Sequence, residues 1–535
     1  MKAKRYLILP MNGIQLLDSK VNTPIASNLL ATLQPKQEAA VASLGKKLMA
    51  SVTQAAAAVV KKPGAAVKRA GAANAPVTKP AIEVVASLHE DGVKLVVASE
   101  EVLAALRHNH PGIRVIEEKF CRPALAPRVA VPPRPAVPAG AHVAAGASVV
   151  VEVVRGDTMT PIRGADVIAF RTVADALEKK TNASGKATFS FGAAAVAKLN
   201  SLYVYHEEPG VWGYFKSNVT VTGGAVKVVL APLKLSVKDS LRHFHKSGKL
   251  TDGQGVLVGV IDSGADNNHP DLVTSIKDGA NCVPASANLL NNFGPDGAHG
   301  THVAGTIAAR GTAPSGVRGI APGAKLMIYK VFESGNPGSG SSFAVIDAIE
   351  RAILAKCDII NLSLSFDPGV TDDAISDALT KARNNGILAI AAAGNDRRQP
   401  VSFPASDANC VAVSAAGRKG LFPKTATEVD DVAAPFGSVT DNFIAAFSNV
   451  GADLDATGSG VGVVSAFPGG HGPMSGTSMA SPAVAGVAAR LLAADPQILG
   501  MTRNAARSDA IRKLLMDACK SQAFGILFEG SGLPK

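Results

Sequence analysis

Two periodicities divide the chain. From about residue 255 onward, mainly apolar runs at 256–261, 325–331, 359–364 and 387–392 alternate with stretches at 343–354, 372–384 and 477–493 whose apolar positions recur at helical spacing. Apolar runs without strict alternation suit strands covered on both faces, so residues 240–535 are expected to form an α/β domain around a parallel sheet. The first half reads differently. Short β runs at 149–154, 167–171, 187–191, 202–205 and 226–230 are separated by turn signals such as Asn182-Ala183-Ser184-Gly185, which predicts a small all-β sandwich over 148–235.

Residues 121–147 contain Pro132-Pro133-Arg134-Pro135 and further alternating Pro and Ala, the composition of a stiff extended linker. Before them, residues 1–120 predict a strand at 6–9 and a helix over 37–60, with Val41, Leu44, Leu48 and Val52 on one face. An Ala/Lys/Pro-rich insertion follows at about 61–81. Runs at 82–88 and 93–97 flank the turn signal Glu90-Asp91-Gly92, a helix opens at Ser99, and a last run lies at 113–116. The order is β-α-β-β-α-β, that of a ferredoxin-like α+β unit.

Composition narrows the function classes. With 47% hydrophobic and 18% charged residues among 535, the chain is rich enough to bury a large core, which excludes wholesale disorder. No apolar run approaches the ~18–20 residues of a membrane span. The basic start, Met1-Lys2-Ala3-Lys4-Arg5, is followed by four apolar residues and then Pro10, too short for a secretory signal, so a cytoplasmic location is favoured over export. Five scattered cysteines without a CxxC pair imply neither a disulfide framework nor a zinc site. The net charge of +11 is uneven: residues 1–250 carry 33 Lys+Arg against 17 Asp+Glu, and the remainder 21 against 26. This suits steering between two halves of opposite sign. Nucleic acid is not expected as a partner, because no basic-aromatic interleaving accompanies the lysines.

Three separated blocks carry the chemistry. An apolar strand ends in Asp262-Ser263-Gly264, His299-Gly300-Thr301-His302 opens a helical pattern, and Ser475-Gly476-Thr477-Ser478-Met479-Ala480-Ser481-Pro482 leads into an apolar helix. Together they offer a nucleophile, Ser478, a base, His299, and a carboxylate, Asp262, to hold the imidazole tautomer and stabilise its positive form. His302 and His269 are read as packing or hydrogen-bonding residues.

At these blocks the chain resembles the subtilisin-like serine peptidases, the subtilases, over roughly 250–530. His269-Pro270-Asp271-Leu272, Asn361-Leu362-Ser363-Leu364-Ser365 and Ala391-Ala392-Ala393-Gly394-Asn395 extend the resemblance. It implies a serine endopeptidase acting on polypeptides through an acyl-enzyme, with Asn395 and the Ser478 backbone N–H as oxyanion donors. It also implies an extended substrate between two rails, Ser363, Leu364 and Ser365 on one side and Gly338, Ser339 and Gly340 on the other. Ala392 and Gly394 would line the first pocket and leave room for a bulky apolar side chain, with Asp396 near its rim.

In calcium-dependent relatives an Asn-bearing loop joins a carboxylate matching Asp271. Here Arg310-Gly311-Thr312-Ala313-Pro314 supplies neither Asn nor carboxylate and leaves only backbone oxygens, so the calcium site is not carried over and no cofactor is expected, with calcium the one alternative left open. The stretch from Leu106 to Glu118 looks like the end of a subtilase inhibitory propeptide. The N-terminal region would then be an intramolecular inhibitor and chaperone of a self-processing zymogen, cut within 121–147 or 234–252. The sandwich segment is similar to carboxypeptidase-regulatory-like domains, with a binding or spacer role. Two rival readings stand beside the peptidase: a peptide ligase or cyclase using the same acyl-enzyme, and a catalytically silent binding protein.

Overall fold

The structure, a computed structural model, describes residues 4–10, 82–89, 92–110, 112–133, 148–192, 195–245, 248–284, 290–333, 335–336 and 339–535. They fall into two compact units, Met1–Lys119 and Phe120–Lys535. In the first, an antiparallel sheet has the order Ile82–Ser87, Lys94–Ala98, Arg5–Pro10, Ile113–Glu117. The helix Glu100–Asn109 starts at Ser99, whose side chain accepts from the Val102 N–H, and acidic residues open it while basic ones close it, as the helix dipole favours. Tyr6, Ile8, Val96, Leu103 and Ile113 form its core. The expected helix over 37–60 and the insertion at about 61–81 lie outside the described residues.

The second unit is built on an eight-stranded sheet. Ile276–Asn281, Lys325–Lys330, Leu257–Asp262, Ile359–Leu362, Leu388–Ala392 and Cys410–Arg418 are all parallel, Ala456–Ser459 joins Cys410–Arg418 in parallel, and Asn442–Ile444 joins it antiparallel. The central strands are shielded on both faces, with Val258, Val260 and Ile261 wholly buried, which is why they read as continuous apolar runs. Ile276–Asn281 escapes that reading because it is a half-exposed edge with sequence IKDGAN. The helix Thr477–Ala494 is long and apolar enough to cross a membrane, but it is the core helix here, with 14 of its residues buried against the sheet.

Residues 148–230 form two further sheets of four and three strands around one core that includes Val151, Val167, Phe189, Leu202 and Val228. Asp175–Lys180 and Tyr214–Thr220 are strands that the apolar pattern missed, because DALEKK and YFKSNVT place mostly polar side chains outward. This two-sheet region is docked firmly on the large sheet's domain. Trp212 is buried with Ala426 and Val464, while the N–H groups of Gly210 and Phe215 donate to His471 O (2.8 Å) and Thr425 O (2.7 Å). The segment expected as a linker over 121–147 opens instead with a strand, Phe120–Pro123, seated between Gly340–Ser341 and Leu364–Ser365. Its Pro-rich composition suits an extended bound strand as well as a linker. Residues 134–147 lie outside the described residues.

Candidate active site

The strand Leu257–Asp262 delivers a fully buried carboxylate to its C-terminal end, where ligands gather in parallel α/β sheets. The helix His299–Ala308 abuts that end because residue 300 is glycine: a Cβ there would meet Gly264 O at 2.0 Å and Asp262 Oδ1 at 2.9 Å. This close approach sets His299 Nδ1 2.7 Å from Asp262 Oδ1. With Nδ1–H donating to the carboxylate, Nε2 is the free acceptor of a neutral ring, and it has no hydrogen-bond partner.

Ser478 lies in the first turn of the helix Thr477–Ala494. Gly476, at φ +152°, makes the sharp entry, and a Cβ on it would come within 2.6 Å of Ala124 O. Pro482 has no N–H to donate four residues back, so Ser478 O is open and accepts from Ser363 Oγ at 2.9 Å. Ser478 Oγ returns a bond to Ser363 O at 3.1 Å. Asn395 is held by its oxygen, which accepts from the N–H and the hydroxyl of Thr477, both at 3.0 Å. Its Nδ2 is buried and has no partner. The chain's own seated strand completes the arrangement. Ala124 N donates to Ser363 O at 3.1 Å, and Ala124 O accepts from Ser478 N at 3.1 Å.

A family model for the subtilase family matches residues 253–532, slightly over half of the chain. The chain belongs to the subtilase family. Subtilisin NAT from Bacillus subtilis subsp. natto is 39% identical over 249 residues, 46% of this chain and 57% of that protein. Subtilisin E from Bacillus subtilis (strain 168) has the same identity and coverage. Subtilisin Savinase from Lederbergia lenta is 37% identical over 263 residues, 48% of this chain and 85% of that protein. The chain therefore spans little more than half the length of the first two relatives.

In this subtilase the expected rails are only partly where sequence put them. Leu364 and Ser365 pair with Pro123 and Arg122, but on the other side it is Gly340 and Ser341 that pair with Cys121 and Phe120. Ser339 is used within its own turn, where Oγ accepts from Glu333 N (3.0 Å) and donates to Asn336 O (2.5 Å). Gly338 lies outside the described residues. A cavity of about 400 Å³ beside Ala124 is lined by Arg122, Ser365, Asn395 and Asp396 among others. Ala392 and Gly394 are not in its lining. Ala392 is wholly buried as the last residue of its strand, and Gly394 turns the chain at φ +103° toward Asn395. Asp396 is already paired with Arg122 at 2.7 Å, so it serves the residue two before Ala124 rather than Ala124 itself.

The neighbouring histidines of this subtilase have other work. His302 Nε2 donates to Val463 O (2.8 Å), and burial pushes its pKa down to about 3, so the ring stays neutral. His269 accepts from Asp271 N through Nδ1 (3.1 Å) and donates to Gly470 O through Nε2 (2.7 Å). The Asp271 carboxylate accepts from His471 Nε2 and Val317 N, each at 2.8 Å. Burial raises Asp271, but the bonds from His471 and Val317 outweigh it and hold the acid below its ordinary range. His269, Asp271 and His471 lie close enough to suggest a metal cluster. They nevertheless do not fit calcium, which takes six to eight oxygens: one carboxylate is present and it is already bonded by protein groups.

Proposed function

We propose that this chain is a subtilisin-type serine endopeptidase made as a zymogen that cuts itself between Ala124 and Leu125. The observation that carries the reading is the Ala124 carbonyl, whose oxygen accepts from the Ser478 N–H at 3.1 Å, in a residue that lines one cavity with Asn395, whose Nδ2 has no partner. Ser478 Oγ attacks that carbonyl carbon and His299 Nε2 takes the hydroxyl proton. Asp262 holds the tautomer and stabilises the imidazolium. The oxygen that gains charge is received by the Ser478 N–H and Asn395 Nδ2, donors that need no reorganisation because Thr477 fixes the amide. As the C–N bond breaks, His299 returns the proton to the Leu125 nitrogen. Water then opens the acyl-enzyme with His299 again as base.

Residues 1–124 act in this reading as an intramolecular inhibitor, because a strand already paired on both sides excludes other polypeptides from the cleft. Calcium has no part in it, since His471 and Val317 serve the one carboxylate that would have held the ion.

Intact-mass spectrometry of the purified chain over time tests the proposal. Two products joining at 124–125 are expected from the parent and none from Ser478→Ala, with the same course in excess EDTA. A cut elsewhere would overturn the assigned bond, and a Ser478→Ala chain that still cuts would overturn the nucleophile. EDTA arrest would overturn the calcium-free reading. Rejoined or cyclic products would favour the ligase.

A further inference from the structure

After Ala124 the seated chain leaves the large sheet's domain for the two-sheet region. Its last bond on the first side is from Ala126 N to Ser475 O, 2.9 Å. Two residues later Arg128 Nη1 lies 2.8 Å from Asp166 Oδ2, and its guanidinium carbon sits 5.2 Å from the centre of the Tyr205 ring. Val129 N donates to the Tyr205 hydroxyl at 3.1 Å, and the Val129 side chain packs against the cluster of Ile168, Phe170, Ala176 and Tyr203. Asp166 is 9% exposed and also paired with Lys180 at 2.6 Å. Burial raises this carboxyl, but the two cations outweigh burial and hold it below its ordinary range, so it is an anion at neutral pH. Glu207, Glu208 and Asp430 add negative charge to the wall of the adjoining cavity of about 200 Å³, against Arg397.

We propose that the two-sheet region is the leaving-group half of the substrate cleft, and that Asp166 with Tyr205 selects a cationic residue at the fourth position after the cut. The inference rests on the reading of Ala124–Leu125 as the bond broken, which makes Arg128 that fourth residue. The chemistry favours arginine over lysine. A planar guanidinium pairs with the carboxylate while lying over the ring, whereas an ammonium keeps only the charge. The polypeptides best suited as substrates therefore carry an arginine shortly after an unremarkable cut site.

Self-cutting of the full chain reads this directly. Arg128→Ala should slow conversion about fivefold, the scale of one half-exposed ion pair. Arg128→Lys should lose less. Asp166→Asn should match Arg128→Ala, and the double variant should be no slower than either, because both remove one interaction. Tyr205→Phe, which keeps the ring and removes only the acceptor for Val129 N, should slow cutting slightly and serves as a variant with little risk to folding. Once each variant has been converted, kcat/KM on a short peptide that ends at its chromogenic amide, and so never reaches Asp166 or Tyr205, should equal that of the converted parent. Arg128→Ala cutting at the parent rate, or effects that multiply in the double variant, would overturn the proposal. A parent that hydrolyses peptides but never cuts itself would overturn it too, leaving the endopeptidase reading intact. A parent inactive on both would instead end the endopeptidase reading.

Discussion

The two sides of the Ala124–Leu125 bond are built from different material. Before it, the chain is held by main-chain pairing with Gly340–Ser341 and Leu364–Ser365, and Arg122 is met by the charged side chains of Asp367 and Asp396. After it, a single main-chain bond to Ser475 gives way to Asp166 and Tyr205 on a separate two-sheet region. Main-chain pairing accepts most sequences and discriminates mainly through size, whereas an ion pair with a stacked ring discriminates through charge and shape. One cleft can thus bind tightly on one side and choose on the other.

The largest effect should be blind to side. On the proposed mechanism Asn395→Ala removes a donor used only when charge develops on the oxygen, so self-cutting and short-peptide hydrolysis should both fall by about 10²–10³, the scale of losing one oxyanion donor in subtilisin. Unequal losses in the two assays would mean that Asn395 also positions the seated strand. Gly340→Ala should come next and fall on one side alone. A Cβ there would lie 2.5 Å from the Phe332 ring and 2.6 Å from the Cys121 sulfur, so the strand or the ring must shift. Overpacking of about 1–3 kcal/mol corresponds to self-cutting slowed by about 5- to 150-fold, at or beyond the loss expected from Arg128→Ala. Were Gly340→Ala to cut normally while Arg128→Ala failed, the roles of the two sides would be reversed.

The same contrast governed what the sequence made legible. Asp262, His299, Asn395 and Ser478 each lie in a short motif whose neighbours have visible reasons, and the fold gathers them at the ends of parallel strands and the starts of two helices. The rail opposite Leu364 was misjudged by a residue because its register depends on where Cys121 and Phe120 pair, a tertiary fact. Arg128, Asp166 and Tyr205 belong to three different segments, and none has a neighbour pattern unlike that of an ordinary surface residue. The segment expected as a linker over 121–147 departs from the expectation in another way where it begins, at Phe120–Pro123. A proline-rich stretch avoids helix and stays extended, which is equally the requirement for a free linker and for a strand lying in a cleft.

The smallest effect near neutral pH concerns the foundation shared by both sides. His302, one helical turn from His299, and His245, which joins the terminal strand Leu533–Pro534 to the sheet, are fully buried and neutral. Burial lowers them from an ordinary 6.5 to about 3 and about 4 respectively. Their folded values are depressed, so above pH 6.5 neither state binds the protons and the stability is fully present. Below 6.5 the unfolded chain takes up protons that the folded chain refuses, and stability falls by about 1.4 kcal/mol per pH unit for each histidine until the folded values are reached. Denaturant unfolding of the Ser478→Ala chain between pH 7 and 4.5, where self-digestion cannot intrude, measures this slope. His302→Gln keeps a donor for Val463 O without a titrating ring and should flatten the slope by about half of the two-histidine value. An unchanged slope would assign the acid sensitivity elsewhere. A flattened slope, with short-peptide kcat/KM at pH 7.5 unchanged when His302→Gln is made in the chain that keeps Ser478, would separate the histidine that supports the fold from His299, the proposed base.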